Sequence, residues 1–236
     1  MSKYTQRVKD TFLEILKIDL VRNGYCWLRY QLRKRKMQTL TAMSDGVGEF
    51  TIAHNVGGLS NFGAFGMGNR MAILLYPLAA ALRDIDDPHV LIVGPRTEDD
   101  LFLAQALGIR NVRGLDLFSY SKRIDVGDMH QTDYPSESFD AVVLGWVISY
   151  STDPARLVEE CKRILKPGGY LAFGIESNPE HRRTGLYKPP RVNSLNSAAD
   201  IALVVDLPIT FLHDPQLDRA TDNGVLFQSH GAPRHG

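Results

Sequence analysis

The residues best equipped for chemistry sit in short clusters between apolar runs. Gly94-Pro95-Arg96-Thr97-Glu98-Asp99-Asp100 joins a glycine to a cation and three carboxylates. Asp116 follows 22 residues after Gly94, and Asp128-Met129-His130, Gly145-Trp146, Ser149-Tyr150 and Glu176-Ser177-Asn178 come after it. A carboxylate spaced like Asp116 can accept hydrogen bonds from both hydroxyls of a ribose; otherwise it is a capping or loop Asp. Asp128 could accept from an adenine amino group, with Met129 offering backbone and apolar surface to the ring. His130 is the candidate general base, since imidazole titrates near neutral pH; a surface-loop histidine fits equally well. Trp146 and Tyr150 could shape an acceptor pocket or simply pack. Glu176 and Arg182, with His181 and Arg183, could reach a substrate, though exposed charge explains the basic ones as well. The seven histidines show no metal-ligand spacing, so no metal is expected.

These clusters matter only if the elements before them end on one rim. His89–Val93 (HVLIV) is a continuous apolar run, as in a parallel strand covered on both faces. Residues 98–107 read as a helix, 112–115 and 124–126 as strands, and 139–144 (FDAVVL) as another. Asp153-Pro154 is a helix N-cap with proline at the first helical position. Leu157, Val158, Cys161, Ile164 and Leu165 mark that helix's apolar stripe, and Lys166-Pro167-Gly168-Gly169 stops it. Residues 170–175 form a fifth strand. The alternation predicts an α/β fold with right-handed crossovers, whose ligands bind beyond the carboxyl ends of the strands.

Before this region, helices are expected over 5–22, over 27–40 and over about 71–83. The second carries the basic run Arg29, Arg33, Lys34, Arg35 and Lys36, most simply a solvated face. Gly46–Phe50 and the stretch 57–70 read as a flexible glycine-rich loop, with Asn61, Phe62 and Phe65 able to close as a lid. After Glu176 a long loop is expected, then a helix over 194–206 and a last pair of antiparallel edge strands at 207–212 and 225–228. The final HGAPRHG is expected to fray.

With 236 residues, 44% of them hydrophobic, the chain can build one sizeable α/β core. Lysine plus arginine equals aspartate plus glutamate at 27 each, which argues against a whole-molecule nucleic-acid footprint. Two cysteines, Cys26 and Cys161, make neither a disulfide framework nor a zinc site. No secretory signal and no apolar stretch of about 18 residues is present, so a cytoplasmic protein away from membranes is expected.

The segment 90–176 resembles the class I S-adenosylmethionine-dependent methyltransferases, particularly the type 11 group. The resemblance rests on VLIVG at 90–94, GLD at 114–116, GDMHQTDYPSESFDAVVLGWVISYSTDP at 127–154 and EECKRILKPGGYLAFGIE at 159–176, a little over a third of the chain. It implies a doubly wound, Rossmann-like, mostly parallel sheet of seven strands with an antiparallel last strand, preceded here by N-terminal helices. Residues 1–70 would form the helices and lid loop, and 71–236 the cofactor-binding domain. It implies S-adenosylmethionine as cofactor. Asp116, with Leu117 beside it, would hold the ribose, Asp128 and Met129 the adenine, and Trp146 would lie near the methionine end. The sequence departs from the family in the glycine loop. Ile92 stands where an acidic residue is usual, Gly94 is retained, and Arg96 and Glu98 replace the later glycines. Arg96 could then pair with the cofactor carboxylate, and Glu98 or Asp99 with its ammonium.

The implied activity is methyl transfer to a small-molecule acceptor, a saccharide or secondary metabolite, with Tyr150, Glu176 and Arg182 facing it. Two alternatives stay open: another use of the sulfonium, such as a cyclisation, and a non-catalytic scaffold with a degenerate pocket. A nicotinamide dehydrogenase is disfavoured because G-x-G-x-x-G is missing. The chain could pair as a homodimer.

Overall fold

His89–Val93 (β2) and Phe139–Gly145 (β6) lie side by side and parallel, and the fold grows outward from them. A computed structural model describes residues 3–41, 49–59, 61–65, 70–184, 192–215, 217 and 219–231. On one side of β2 run Asn111–Asp116 (β3) and Ile124–Val126 (β5), both parallel. On the other side of β6 come Leu165–Ser177 (β7), Thr221–Gln228 (β9) and Ile209–His213 (β8). The seven-stranded order is β5-β3-β2-β6-β7-β9-β8, with β9 antiparallel to both neighbours. This is the α/β fold that the strand pattern predicted, in the doubly wound, Rossmann-like form that the resemblance implied, and the reversed strand is the last one.

Side-chain alternation sorts the sheet into two cores. Leu91, Val93, Val142, Leu144, Phe173 and Val225 face one way, onto the helices Pro154–Ile164 (α6) and Ala198–Val205 (α8). Val90, Ile92, Val143, Ala172 and Leu226 face the other way, with Leu74, Leu75 and Leu78 of Ala72–Ala81 (α4) and Leu101 and Ala104 of Asp99–Ala106 (α5). The start of α6 is as read: the Asp153 side chain accepts from the Arg156 amide at 3.1 Å, with Pro154 next. Its end differs. The chain passes straight from Ile164 into β7, so Leu165–Gly169 already belong to a strand, with a register shift opposite Phe139/Ala141. Gly168 takes φ +75°, which explains the glycine there.

Outside the sheet the sequence reading needs correction. The expected helix over 5–22 is two helices, Lys3–Ile15 (α1) and Asp19–Arg33 (α2), because Leu16 turns inward to full burial between them. The expected helix over 27–40 ends at Arg33. A single 3₁₀ turn follows, and Gln38–Thr39 (β1) pairs antiparallel with Phe118–Ser119 (β4). Part of the expected glycine-rich loop is helix, Glu49–Gly58 (α3). Phe65 is no lid: it is buried among Leu16, Cys26, Tyr30, Leu59 and Phe102. The long loop after β7 holds a short helix, Pro179–Thr184 (α7), and residues 185–191 lie outside those described. Strand β9 is interior, not an edge, because it inserts between β7 and β8. Among the described residues no helix is long and apolar enough to cross a membrane, and no three His, Cys, Asp or Glu are placed to hold a metal.

Candidate cofactor cleft

The sheet reverses its winding between β2 and β6, and a cleft opens there beyond the strands' carboxyl ends. Gly94, directly after β2, has φ +68°, and a Cβ there would stand 2.1 Å from Val147 Cγ1. Only glycine lets the chain turn at that point. Its N–H donates to the Leu115 carbonyl at 2.8 Å. Arg96 follows with φ +52°, the left-handed region that costs an ordinary residue about 1–2 kcal/mol. The loop therefore keeps at Arg96 a backbone conformation that glycine would favour, while adding a guanidinium.

Asp116 holds that conformation in place. Its two carboxylate oxygens accept the Arg96 N–H at 2.9 Å and the Leu117 N–H at 2.7 Å, while its carbonyl accepts the Gly127 N–H at 2.9 Å. Burial pushes the Asp116 carboxyl up to about 6, against the pull of these amides and the Arg96 charge. A carboxylate has four acceptor positions, and with the Arg96, Leu117 and Phe118 amides acting on it at least one remains for a ligand's hydroxyl. The Arg96 side chain reaches up to α3, where Nη2 donates to Asn55 Oδ1 at 2.5 Å. Asn55 and Thr51 of α3 roof the cleft.

The opposite wall is Trp146, also left-handed at φ +60°. Its ring lies on Gly174, where a Cβ would come within 2.7 Å of it, and Arg70 stacks on it at 4.6 Å. Among the described residues the buried indole Nε1 has no acceptor. Arg70 is a cleft residue that the sequence reading missed, because nothing in its neighbourhood shows that it stacks on a tryptophan 76 positions away. Asp100, named in the loop cluster but given no role, lines the cleft as well. Its carboxyl is held well above the usual range by burial and by the neighbouring Asp99, against Arg70, Arg22 and Arg96.

Eight of the expected residues line the cleft: Gly94, Arg96, Asp99, Asp116, Leu117, Met129, Trp146 and Tyr150. Others go elsewhere. Glu98 is fully buried facing α2, where Arg29 Nη2 donates at 2.7 Å and the Ser121 hydroxyl at 2.6 Å. Burial would raise its pKa, but Arg29, Ser121 and the Arg33 charge outweigh that and hold it low. Asp99 is shared: Oδ1 accepts from Arg22 Nε at 2.9 Å, while Oδ2 is buried with no partner among the described residues, and the residue also lines the cleft. The acidic residues of the altered loop thus fasten α2 to the start of α5. Glu176 sits on β7 opposite Asp222 of β9, away from the cleft walls. The backbone of Arg182 belongs to α7, but its side chain lies outside those described.

Asp128 and His130 are both buried and neither lines the cleft. Asp128 Oδ1 meets the His130 N–H at 2.9 Å and Nδ1 at 2.7 Å, while His130 Nε2 meets the Ser151 hydroxyl at 2.7 Å. With both ring nitrogens engaged and no exposed face, His130 pins the loop after β5 to the turn carrying Tyr150. It is not placed as the expected base. His130→Gln should lower stability by about 1–3 kcal/mol in chemical denaturation, without changing the pH profile of turnover. A flattened profile in a variant of unchanged stability would return the base role to it.

Residues 101–173 match the model of a family described as a methyltransferase domain. Over 108 residues the chain is 27% identical to a phosphatidylethanolamine N-methyltransferase of Cereibacter sphaeroides, covering 46% of each protein. It is 31% identical over 93 residues to cyclo-acetoacetyl-L-tryptophan synthase of Aspergillus oryzae, which is 39% of this chain and 2% of that one. The chain thus spans less than half the length of these curated relatives. Among solved structures, the methyltransferase in complex with the Haloferax volcanii Trm112 activator superposes with TM-score 0.53 at 16% identity, covering 79% of this chain and 97% of that one. Residues 101–173 are thus similar to a methyltransferase domain, and the sheet shares the fold of the methyltransferase in that complex.

Proposed function

We propose that this chain transfers a methyl group from S-adenosylmethionine to a small-molecule acceptor, with residues 71–236 as the catalytic unit and the preceding helices as its cap. The observation that carries the proposal is the set of polar groups along the cleft. Its walls bear the carboxyls of Asp99 and Asp116 beside two guanidiniums, Arg70 and Arg96; Asp100 also lines it, but burial holds its carboxyl towards the neutral form. S-adenosylmethionine brings a sulfonium, an ammonium and ribose hydroxyls to such acceptors, and one carboxylate to such cations. Asp99 Oδ2, with no partner among the described residues, suits the ammonium, Arg70 or Arg96 the carboxylate, and the spare acceptor capacity of Asp116 a ribose hydroxyl. Gly127 and Met129 offer backbone and apolar surface to the adenine.

When bound, the cofactor supplies an electrophilic methyl on sulfur. The chain's own task is to align the acceptor with that methyl and keep water out. Tyr150 and Trp146 face the space left for the acceptor. Saccharides and secondary metabolites are candidate acceptors, and the Cereibacter relative adds phosphatidylethanolamine.

Calorimetry tests this reading. The chain should bind S-adenosylmethionine at about pH 8 and form S-adenosylhomocysteine when the right acceptor is added. Affinity should fall as the pH drops through about 6. The sign follows from Asp116 and Asp99, whose carboxyls burial pushes up to about 6. A cation and a hydroxyl donor favour their ionised forms, so binding releases protons and weakens as protons become abundant. The slope is about tenfold per pH unit for each proton released. No binding by the folded chain at any pH would leave the domain as a scaffold.

A further inference from the structure

Helix α2 carries its polarity inside out. Its inward face holds Arg22, wholly buried, together with Cys26, Tyr30 and the Glu98-bound Arg29. Its outward face holds Leu20 at 75% exposure, Val21 at 40%, Leu28 at 51% and Leu32 at 75%. At 3.6 residues per turn these four span an arc of roughly 120°. Gly24 lies in the same arc, and a Cβ there would meet nothing within 4 Å. On α1, Val8, Phe12 and Ile15 are also exposed, at one-face spacing. Single exposed leucines are ordinary, but an apolar stripe on a helix that buries its arginines needs a cover.

The charge around the stripe says what kind of cover. Residues 3–36 carry ten lysines and arginines against three acidic residues, in a chain whose total is neutral. Those three acids are already engaged: Asp10 with Arg110, Glu14 with Lys17 and Asp19 with Arg22. At the end of α2, Lys34, Arg35 and Lys36 are exposed and make no ion pair among the described residues. A second copy of this chain would bring one basic surface against another, which like-charge repulsion disfavours. An apolar stripe beside unpaired cations is the composition of helices that lie in the headgroup region of an anionic bilayer.

We propose that the α1–α2 cap docks on an anionic phospholipid surface, the leucine stripe entering the boundary between headgroups and acyl chains and Lys34, Arg35 and Lys36 meeting the phosphates. The helices lie on the membrane and do not span it. Arg22 and Arg29 tie the other face of α2 to Asp99 and Glu98 at the cleft wall, so the docked surface lies about one helix diameter, roughly 10 Å, from the cofactor cleft. Surface docking of this kind does not depend on the methyl-transfer reading.

Co-sedimentation of the full chain with phosphatidylcholine vesicles, with and without phosphatidylglycerol, tests it. The chain should pellet with the phosphatidylglycerol vesicles and remain in solution with phosphatidylcholine alone. The triple variant Leu20→Ser, Leu28→Ser, Leu32→Ser should bind at least about tenfold more weakly. Lys34→Gln, Arg35→Gln, Lys36→Gln should lose about fivefold per charge. All these side chains point outward, so melting temperatures should match the wild type, and S-adenosylmethionine calorimetry checks the cleft separately. Failure to pellet overturns the proposal. So does equal binding by the leucine variant, which would be charge attraction alone. A concentration-dependent dimer in analytical ultracentrifugation, lost in the leucine variant, would assign the stripe to a second copy and overturn it as well.

Discussion

Asp116→Ala should weaken S-adenosylmethionine binding a hundredfold or more in calorimetry. A hydroxyl bond to a charged acceptor contributes about 1.5–3 kcal/mol, and the substitution removes every such bond. It also frees the Arg96 and Leu117 amides that the carboxylate holds at 2.9 and 2.7 Å. Arg96 then loses the bond that secures its left-handed backbone, so the loop should relax as well as the ligand contact vanish. Asp116→Asn weights the two effects differently. It keeps one acceptor oxygen for the loop, so one of the two amides stays held, and it offers a ribose a donor in place of an acceptor. If the Asn variant binds as tightly as the wild type, Asp116 serves the loop alone and the ribose assignment is wrong.

Arg22→Ala should cost about 3–5 kcal/mol of unfolding free energy near pH 8, because it leaves the Asp99 carboxylate buried without its counter-charge. The cost should shrink towards pH 5. Burial already pushes Asp99 up to about 6, held down by Arg22, so removing the arginine moves it higher. In acid the carboxyl takes up a proton and no longer needs a cation; in base it must ionise in an apolar site or bind a proton against the bulk pH. Urea titrations at the two pH values measure the difference. A cost that does not change with pH would mean that packing, not charge, dominates at this pair. Limited proteolysis should also cut the variant first between α1 and α2, since Arg22 is the deepest tie of the cap.

The sheet was legible in the sequence for a physical reason. A parallel strand covered on both faces must be apolar without interruption, and HVLIV and FDAVVL announce themselves that way. Helix α6 was equally plain, because Asp153-Pro154 is a local device that works within one turn. The N-terminal cap was not legible. Its helix α2 buries arginines that only make sense opposite Glu98 and Asp99, about 70 residues away, so an inside-pointing charge was read as a solvated face. The same distance hid the fate of Glu98, which in sequence stands beside a cofactor loop and in space faces away from it. Asp116 could be placed at the cleft because strand end and spacing are both local facts. His130 misled because a histidine beside an aspartate looks the same in sequence whether it faces solvent or, as here, Ser151 in the interior.

The insertion of β9 between β7 and β8 bears on how the chain is made. Among the described strands, residues 221–228 are the last to be synthesised, yet they fill an inner position of the sheet. Until they arrive, β7 has no partner on one side, and its backbone donors and acceptors stand open to any other extended segment. The helix-flanked half of the sheet, from β5 to β7, can assemble during synthesis, but the far half waits for the final insertion. A ribosome stall before residue 221 would therefore hold the nascent domain in its most aggregation-prone state, and chaperone demand should peak there.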